Sequence, residues 1–405
     1  MKRRVAITGL GVISALGRDV AEALTVLREG RSTIAFREQE GWQAAPVPVA
    51  AVPGYSESDY FRHNELLMLD RATQFAIIAG DTALSSSAVM KRHHPERVAV
   101  VVGTGTGGGT TVEENYLAVQ RNPGARLHPM CVPKLMINAS ASQLTIRHGI
   151  TGPSYVIASA CASSAHAIAN AYHLIVSGIV DAAVTGGAES CLSPGQIRAW
   201  EGLRIMASDT CRPFSLGRRG LVLGEGAAIL VLEDYELAAR SGVKILGELL
   251  GVGMSSDAVH IVQPTVAGCA AAMEACLASA ELSADEVQYV NAHGTGTAAN
   301  DRTEAAALQQ VFGTHLDSMM VSSTKSAHGH CIGAAGAIEL CASLVALREG
   351  FVPATVNFLE PDPLCPIDCV PNVPRQARVT NFISNSFAFG GHNASVAVQV
   401  ESASA

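Results

Sequence analysis

Short apolar runs alternate along the chain with Ala-rich stretches whose apolar positions recur at helical spacing. The runs Val98–Val102, Tyr155–Ile157, Ala182–Thr185, Ala228–Leu232, Val287–Asn291, Met320–Ser323 and Ala394–Val400 read as strands. Between them Arg71–Leu84, Ser163–Val176, Ala267–Ala278, Thr303–Val311 and Ala335–Leu347 read as helices. The first run, Val5–Thr8, is expected to feed a glycine turn at Gly9 and Gly11. Such alternation predicts an α/β fold with buried sheets. Two strand-to-glycine units, Val5–Gly11 and Val287–Gly296, open what read as two similar halves. A break near Gly242–Lys244 divides the chain into units 1–243 and 244–405. Glycines cluster where strands end, which is where α/β proteins place their sites.

Composition sharpens this picture. The chain is 48% hydrophobic but only 16% charged, against about 25% charged in a typical soluble domain. Few surface charges on so apolar a chain predict surface buried against another subunit. With a net charge of -8 there is no general reason to bind polyanions, so nucleic acid is not an expected partner. Met1–Arg4 followed by apolar residues imitates a signal peptide, but Gly9, Gly11 and Gly17 interrupt the run and a first strand is the better reading. No stretch reaches the ~18 apolar residues of a membrane span. The ten cysteines are scattered without a C-x-x-C pair, the usage of a cytoplasmic protein with reduced thiols.

Two motifs invite readings that their surroundings do not support. Gly103–Gly108 satisfies G-x-G-x-x-G after a strand, but no acidic residue stands at a strand end about 20 positions on, as dinucleotide binding requires. Close backbone approach is the preferred explanation. His328-Gly329-His330-Cys331 lacks the second cluster that a structural zinc needs, so no metal is expected.

Four loops at strand ends, three of them glycine-rich, carry the candidate chemistry. Ser159–Ser164 places Cys161 at a strand-to-helix junction, where a helix N-terminus and free N–H groups favour thiolate. Asn291–Thr297 surrounds His293 with glycines and two hydroxyls, Thr295 and Thr297. Thr324–Gly336 holds Lys325, His328 and His330, and Asn385–Asn393 is a glycine loop before the last strand.

Taken with Val5–Gly11 and in this order, these motifs resemble a β-ketoacyl-acyl carrier protein synthase of the type I/II, thiolase-fold kind over essentially the whole length. The resemblance implies two similar halves in a layered α-β-α-β-α arrangement with mixed five-stranded sheets. It implies an acyltransferase that elongates a carrier-bound acyl chain with malonyl-acyl carrier protein by decarboxylative Claisen condensation. The catalytic set falls on Cys161, His293 and His330, with Lys325 and Glu339 as a buried pair expected to position His330. Phe389 is implied as a gate and, with Cys161, as the oxyanion hole; Thr295 and Thr297 as pantetheine contacts; Thr106 as an acyl-pocket residue small enough to leave the pocket long. No cofactor is implied beyond the phosphopantetheine on the carrier, and the partner subunit is an identical chain or a related one.

Thiolase is disfavoured because Gly390–Asn393 lacks a cysteine, a type III synthase because His330 is not Asn, and a chain-length factor because Cys161 is kept. A mainly structural, chain-length-setting partner subunit is the alternative from another class. His328 and His392 depart from the family's usual Thr-Gly-His and Gly-Gly-Thr-Asn and are read as tuning. Asn64–Met68 replaces an expected basic patch, which leaves Arg62, Arg71, Arg126, Arg204 and Arg212 as candidates for carrier docking. A dedicated polyene or polyketide pathway with its own carrier therefore stands beside fatty-acid elongation.

Overall fold

The computed structural model describes residues 2–38 and 45–401. Ten of its strands form one path that divides into two equivalent runs of five. In the first, Ser154–Ile157, Val98–Gly103 and Ala182–Ser190 are parallel, and Leu223–Asp234 and Val5–Ser14 follow antiparallel. In the second, Met320–Ser322, Tyr289–Asn291 and Asn381–Ala388 are parallel, and His392–Val400 and Gly247–Ser256 follow antiparallel. Antiparallel pairing of Val5–Ile7 with Gly247–Leu249 joins the runs, and the strands Ala35–Arg37 and Val47–Ala50 add to the side of the first. The two five-stranded sheets are thus continuous at one edge rather than separate.

Helices make the remaining layers. Ser163–Val176 and Ala335–Arg348 pack on each other between the two sheets, and the largest apolar cluster contains both. Arg71–Ser87 covers the outer face of the first sheet; Val266–Ala280 covers that of the second, with Ala298–Phe312 packed beside it. Buried on both faces, the strands read as continuous apolar runs rather than alternating ones. Among the described residues no helix is long and apolar enough to cross a membrane.

The glycines of the first strand have a different role from the one expected. The strand does not stop at Thr8 but runs Val5–Ser14, with a bulge between Ile7 and Gly9. A Cβ at Gly9 would lie 2.3 Å from the Ala83 carbonyl oxygen, and one at Gly11 2.0 Å from that of Ala79. These glycines let the Arg71–Ser87 helix lie against the strand backbone.

Candidate active site

Every candidate loop leaves the C-terminal end of a parallel strand or of a strand paired with one. Cys161 follows Ser154–Ile157 in a short 3-10 turn, Ala160–Ala162, that leads into the Ser163–Val176 helix. Ala160 is held at φ 50, and Ile332, just past His330, at φ 42. Backbone strain of this kind is concentrated at functional sites. His293 follows Tyr289–Asn291, Lys325 follows Met320–Ser322, and Phe389 follows Asn381–Ala388. The His330 loop is stitched to another strand: its N–H donates to the Val222 carbonyl at 2.7 Å and its carbonyl accepts from Gly224 at 2.9 Å.

The folds of these loops bring three groups together. One ligand-capable atom each of Cys161, His293 and His330 lies within 4.8 Å of the others, all buried. The imidazoles meet edge to face, with ring centroids 5.4 Å apart at 82°. All three line one cavity of about 80 Å³, together with Thr295, Thr297, Trp200 and Phe389. Both ring nitrogens of His330 are buried with no hydrogen-bond partner among the described residues. A group left so is poised to bind something that enters. The same atoms could hold a metal; equally, they converge on the space that a thioester carbonyl beside the sulfur would fill.

Burial sets the charge state of the site. It pushes the Cys161 thiol up to about 12, against the pull of the Lys325 ammonium and of the Phe389 and Cys161 backbone N–H groups, which point at the sulfur. The resting sulfur is therefore a thiol, not the thiolate that a helix N-terminus alone would favour. Burial, then Lys325, hold His293 and His330 well below the usual imidazole range, so both are neutral.

Lys325 occupies a different place from the one expected. It is fully buried and ion-paired with Glu339 at 2.6 Å, as anticipated, but it serves His293 rather than His330. Its Nζ donates to the His293 carbonyl and lies 3.3 Å from His293 Nδ1. An ammonium has only donors, so Nδ1 must accept and Nε2 must carry the proton. Burial raises the Glu339 carboxyl to about 7, with Lys325 pulling it back.

Two further carboxylates hold the His293 loop and were not apparent from the sequence. Glu304 accepts the His293 and Gly294 N–H groups, both at 2.8 Å, and burial raises it to about 7. Asp301 accepts from Phe214 at 2.8 Å and Gly296 at 3.2 Å. Both sit on the Ala298–Phe312 helix, which begins five residues before the expected Thr303 because Thr297 caps it through the Asn300 N–H. Carboxylates at i and i+3 in the first turns after a histidine loop were the available signal.

The remaining candidates divide. Thr295 and Thr297 line the cavity, with hydroxyls 2.9 Å apart, so the turn role and the site role coincide. Phe389 lines it too, stacked on Trp200 at 5.9 Å and 24°. Thr106 does not line it: the residue is exposed and its hydroxyl donates to Glu189 at 2.7 Å. The same buried Glu189 accepts from the Gly105 and Gly333 N–H groups. The glycine loop thus cradles an internal carboxylate where a dinucleotide site would hold phosphate. His328 is buried, with Nε2 3.1 Å from the Thr324 hydroxyl, while His392 is exposed. Of the candidate docking cations, Arg71 is committed to buried Glu225 at 2.6 Å and Arg212 to Asp209 at 2.8 Å; Arg62, Arg126 and Arg204 stay exposed. Leu67 and Met68 are exposed, and Glu65 pairs with Arg147.

Comparison with known proteins matches this arrangement. The family models for the β-ketoacyl synthase N-terminal and C-terminal domains match residues 2–238 and 246–359. Nodulation protein E of Rhizobium meliloti (strain 1021) is 44% identical over 402 residues, 98% of this chain and 99% of that protein. The 3-oxoacyl-[acyl-carrier-protein] synthase 2 of Coxiella burnetii is 35% identical over 402 residues, 97% of each. Among solved structures, the ishigamide ketosynthase/chain length factor superposes with a TM-score of 0.93 at 31% identity, covering 99% of this chain and 100% of that one. A type II polyketide ketosynthase, AntDE, in complex with its acyl carrier protein AntF gives 0.90 at 27% identity, with the same coverage.

Proposed function

Because this chain belongs to the β-ketoacyl synthase family and is a condensing acyltransferase, we propose that it elongates a carrier-bound acyl chain through an acyl-Cys161 intermediate, using malonyl-acyl carrier protein as extender. The convergence of Cys161 with two neutral imidazoles at one cavity carries this reading.

In the first stage Cys161 Sγ bonds to the acyl carbonyl carbon and the thioester bond to the carrier's phosphopantetheine breaks. The thiol proton leaves with the pantetheine sulfur. The Cys161 and Phe389 N–H groups, aimed at the sulfur at rest, are placed to take the developing oxyanion. In the second stage the arm of malonyl-carrier enters past Thr295 and Thr297. The bond from its α-carbon to the carboxylate breaks, CO2 leaves, and the Nε2–H groups of His293 and His330 hold the enolate oxygen. The α-carbon attacks the acyl carbonyl, and Cys161 sulfur departs and is reprotonated from solvent. Phe389 separates the two stages by its position between Cys161 and Trp200.

A dedicated pathway with its own carrier is the reading we favour over general fatty-acid elongation. Identity is higher to the nodulation relatives than to the 3-oxoacyl synthases, and Glu65, Leu67 and Met68 stand on a surface where an acidic carrier would want cations. The enzyme would work in the cytoplasm as a dimer with an identical or related chain. Incubation with acyl-carrier protein followed by intact-protein and peptide mass spectrometry tests the core of the proposal. One acyl adduct on Cys161 is expected; no adduct with any carrier would leave a structural partner subunit as the better account.

A further inference from the structure

A polar group behind the cavity wall has no part in the chemistry above. The helix Pro194–Gly202 brings Trp200 into that wall. Gln196 lies four residues earlier on the same face, about 6 Å back along the axis. There its carboxamide crosses the glycine loop: a Cβ on Gly109 would come within 2.1 Å of the Gln196 amide nitrogen and 3.3 Å of the Thr106 hydroxyl. The Gln196 Oε1 is buried and has no hydrogen-bond partner among the described residues. Next to it Ile197 belongs to an apolar cluster with Ile332, which follows His330.

The cavity at Cys161, of about 80 Å³, takes the thioester end of a substrate. Trp200 and Phe389, stacked on each other, form its wall on the side of the helix that carries Gln196. A buried amide oxygen without a partner is costly, and native cores retain few without a use.

On the ketosynthase reading above, we infer that the acyl chain held by Cys161 runs past Trp200 and Phe389 to Gln196, and that Gln196 determines substrate class: its carboxamide hydrogen-bonds an oxygen-bearing group, hydroxyl or keto, on that chain. A carboxamide both accepts and donates, so either group can pair with it. A site built around a polar group rejects the analogue that lacks the matching one.

The test uses carrier-bound acyl donors in pairs of equal length, one an alkanoyl chain and the other bearing a single hydroxyl or keto group at a varied carbon. The two donors of a pair compete in one sample, and the Cys161 adducts are counted by mass, so any misfolded fraction cancels from the ratio. The wild-type chain is expected to favour the oxygenated donor about tenfold at one position, and Gln196→Met to lose that preference. Equal ratios in the two proteins, or a wild-type preference for the alkanoyl chain, would overturn the inference while leaving the ketosynthase reading intact. Absence of any adduct in the wild type would overturn both.

Discussion

Lys325 makes the two imidazoles of the site unequal. Its ammonium fixes the His293 tautomer, whereas neither ring nitrogen of His330 has a partner among the described residues. His293 is therefore the preorganised donor, and loss of a single such donor typically costs 10²–10³ in rate. His293→Ala should still take an acyl group on Cys161 yet decarboxylate malonyl-carrier protein some hundredfold more slowly, read as CO2 release; normal condensation in this variant would refute the role. His328 gives a separate, pH-dependent consequence. Burial, then Lys325, lower its imidazole to about 3, whereas an exposed one titrates near 6.5. Below pH 6.5 the unfolded chain takes up a proton at this position that the folded chain refuses, so the group destabilises the fold increasingly as pH falls toward 3. His328→Thr should gain on the wild type by about 1 kcal/mol between pH 7.5 and 5.5, measured as the difference in urea-unfolding free energy. An unchanged difference would mean that the folded protein protonates His328 freely.

At the scale of elements, the legible features were those set by local pattern. The Ser163–Val176 helix has the expected bounds because its apolar face repeats along its whole length between two turns. Three other features depended on what approaches from elsewhere. Gly9 and Gly11 look like a turn from sequence, but distant Ala79 and Ala83 make them a packing surface. The Gly103–Gly108 loop reads from sequence as a place of close backbone approach, but that what it wraps is Glu189, from a neighbouring strand, does not show there. Lys325 is near His330 in sequence, yet its side chain reaches His293 from an adjacent strand end, a choice that the parallel pairing of Met320–Ser322 with Tyr289–Asn291 makes. The convergence of Cys161, His293 and His330 was legible because each member sits in its own motif, whereas Glu304 and Asp301 act through backbone N–H groups and leave only a helical spacing behind.

The two ends of the long sheet are equivalent strands that are not equally covered, Met320–Ser322 being mostly buried and Ser154–Ile157 mostly half-buried. The strand Ser154–Ile157 ends the sheet at one edge, with only Val98–Gly103 beside it among the described residues. An unprotected edge strand is an adhesive surface that soluble proteins cover or blunt. The helix Ala139–His148 packs on that strand and on the neighbouring Cys131–Leu135 helix, which in turn packs on Gly109–Arg121. Apolar side chains along this end stay in the open: Tyr116 is 71% exposed, Val132 60% and Val112 49%. Exposed apolar side chains on helices packed in series outward from a sheet edge mark an interface, and the scarcity of surface charge in the sequence points the same way. The chain alone should therefore sediment at twice its mass of 42.0 kDa at micromolar concentration. Tyr116→Glu combined with Val132→Glu should shift it to the monomer by burying two unpaired charges in that interface. A wild-type chain that sediments as a monomer, and dimerises only when a related subunit is added, would replace the homodimer with a heterodimer across the same face.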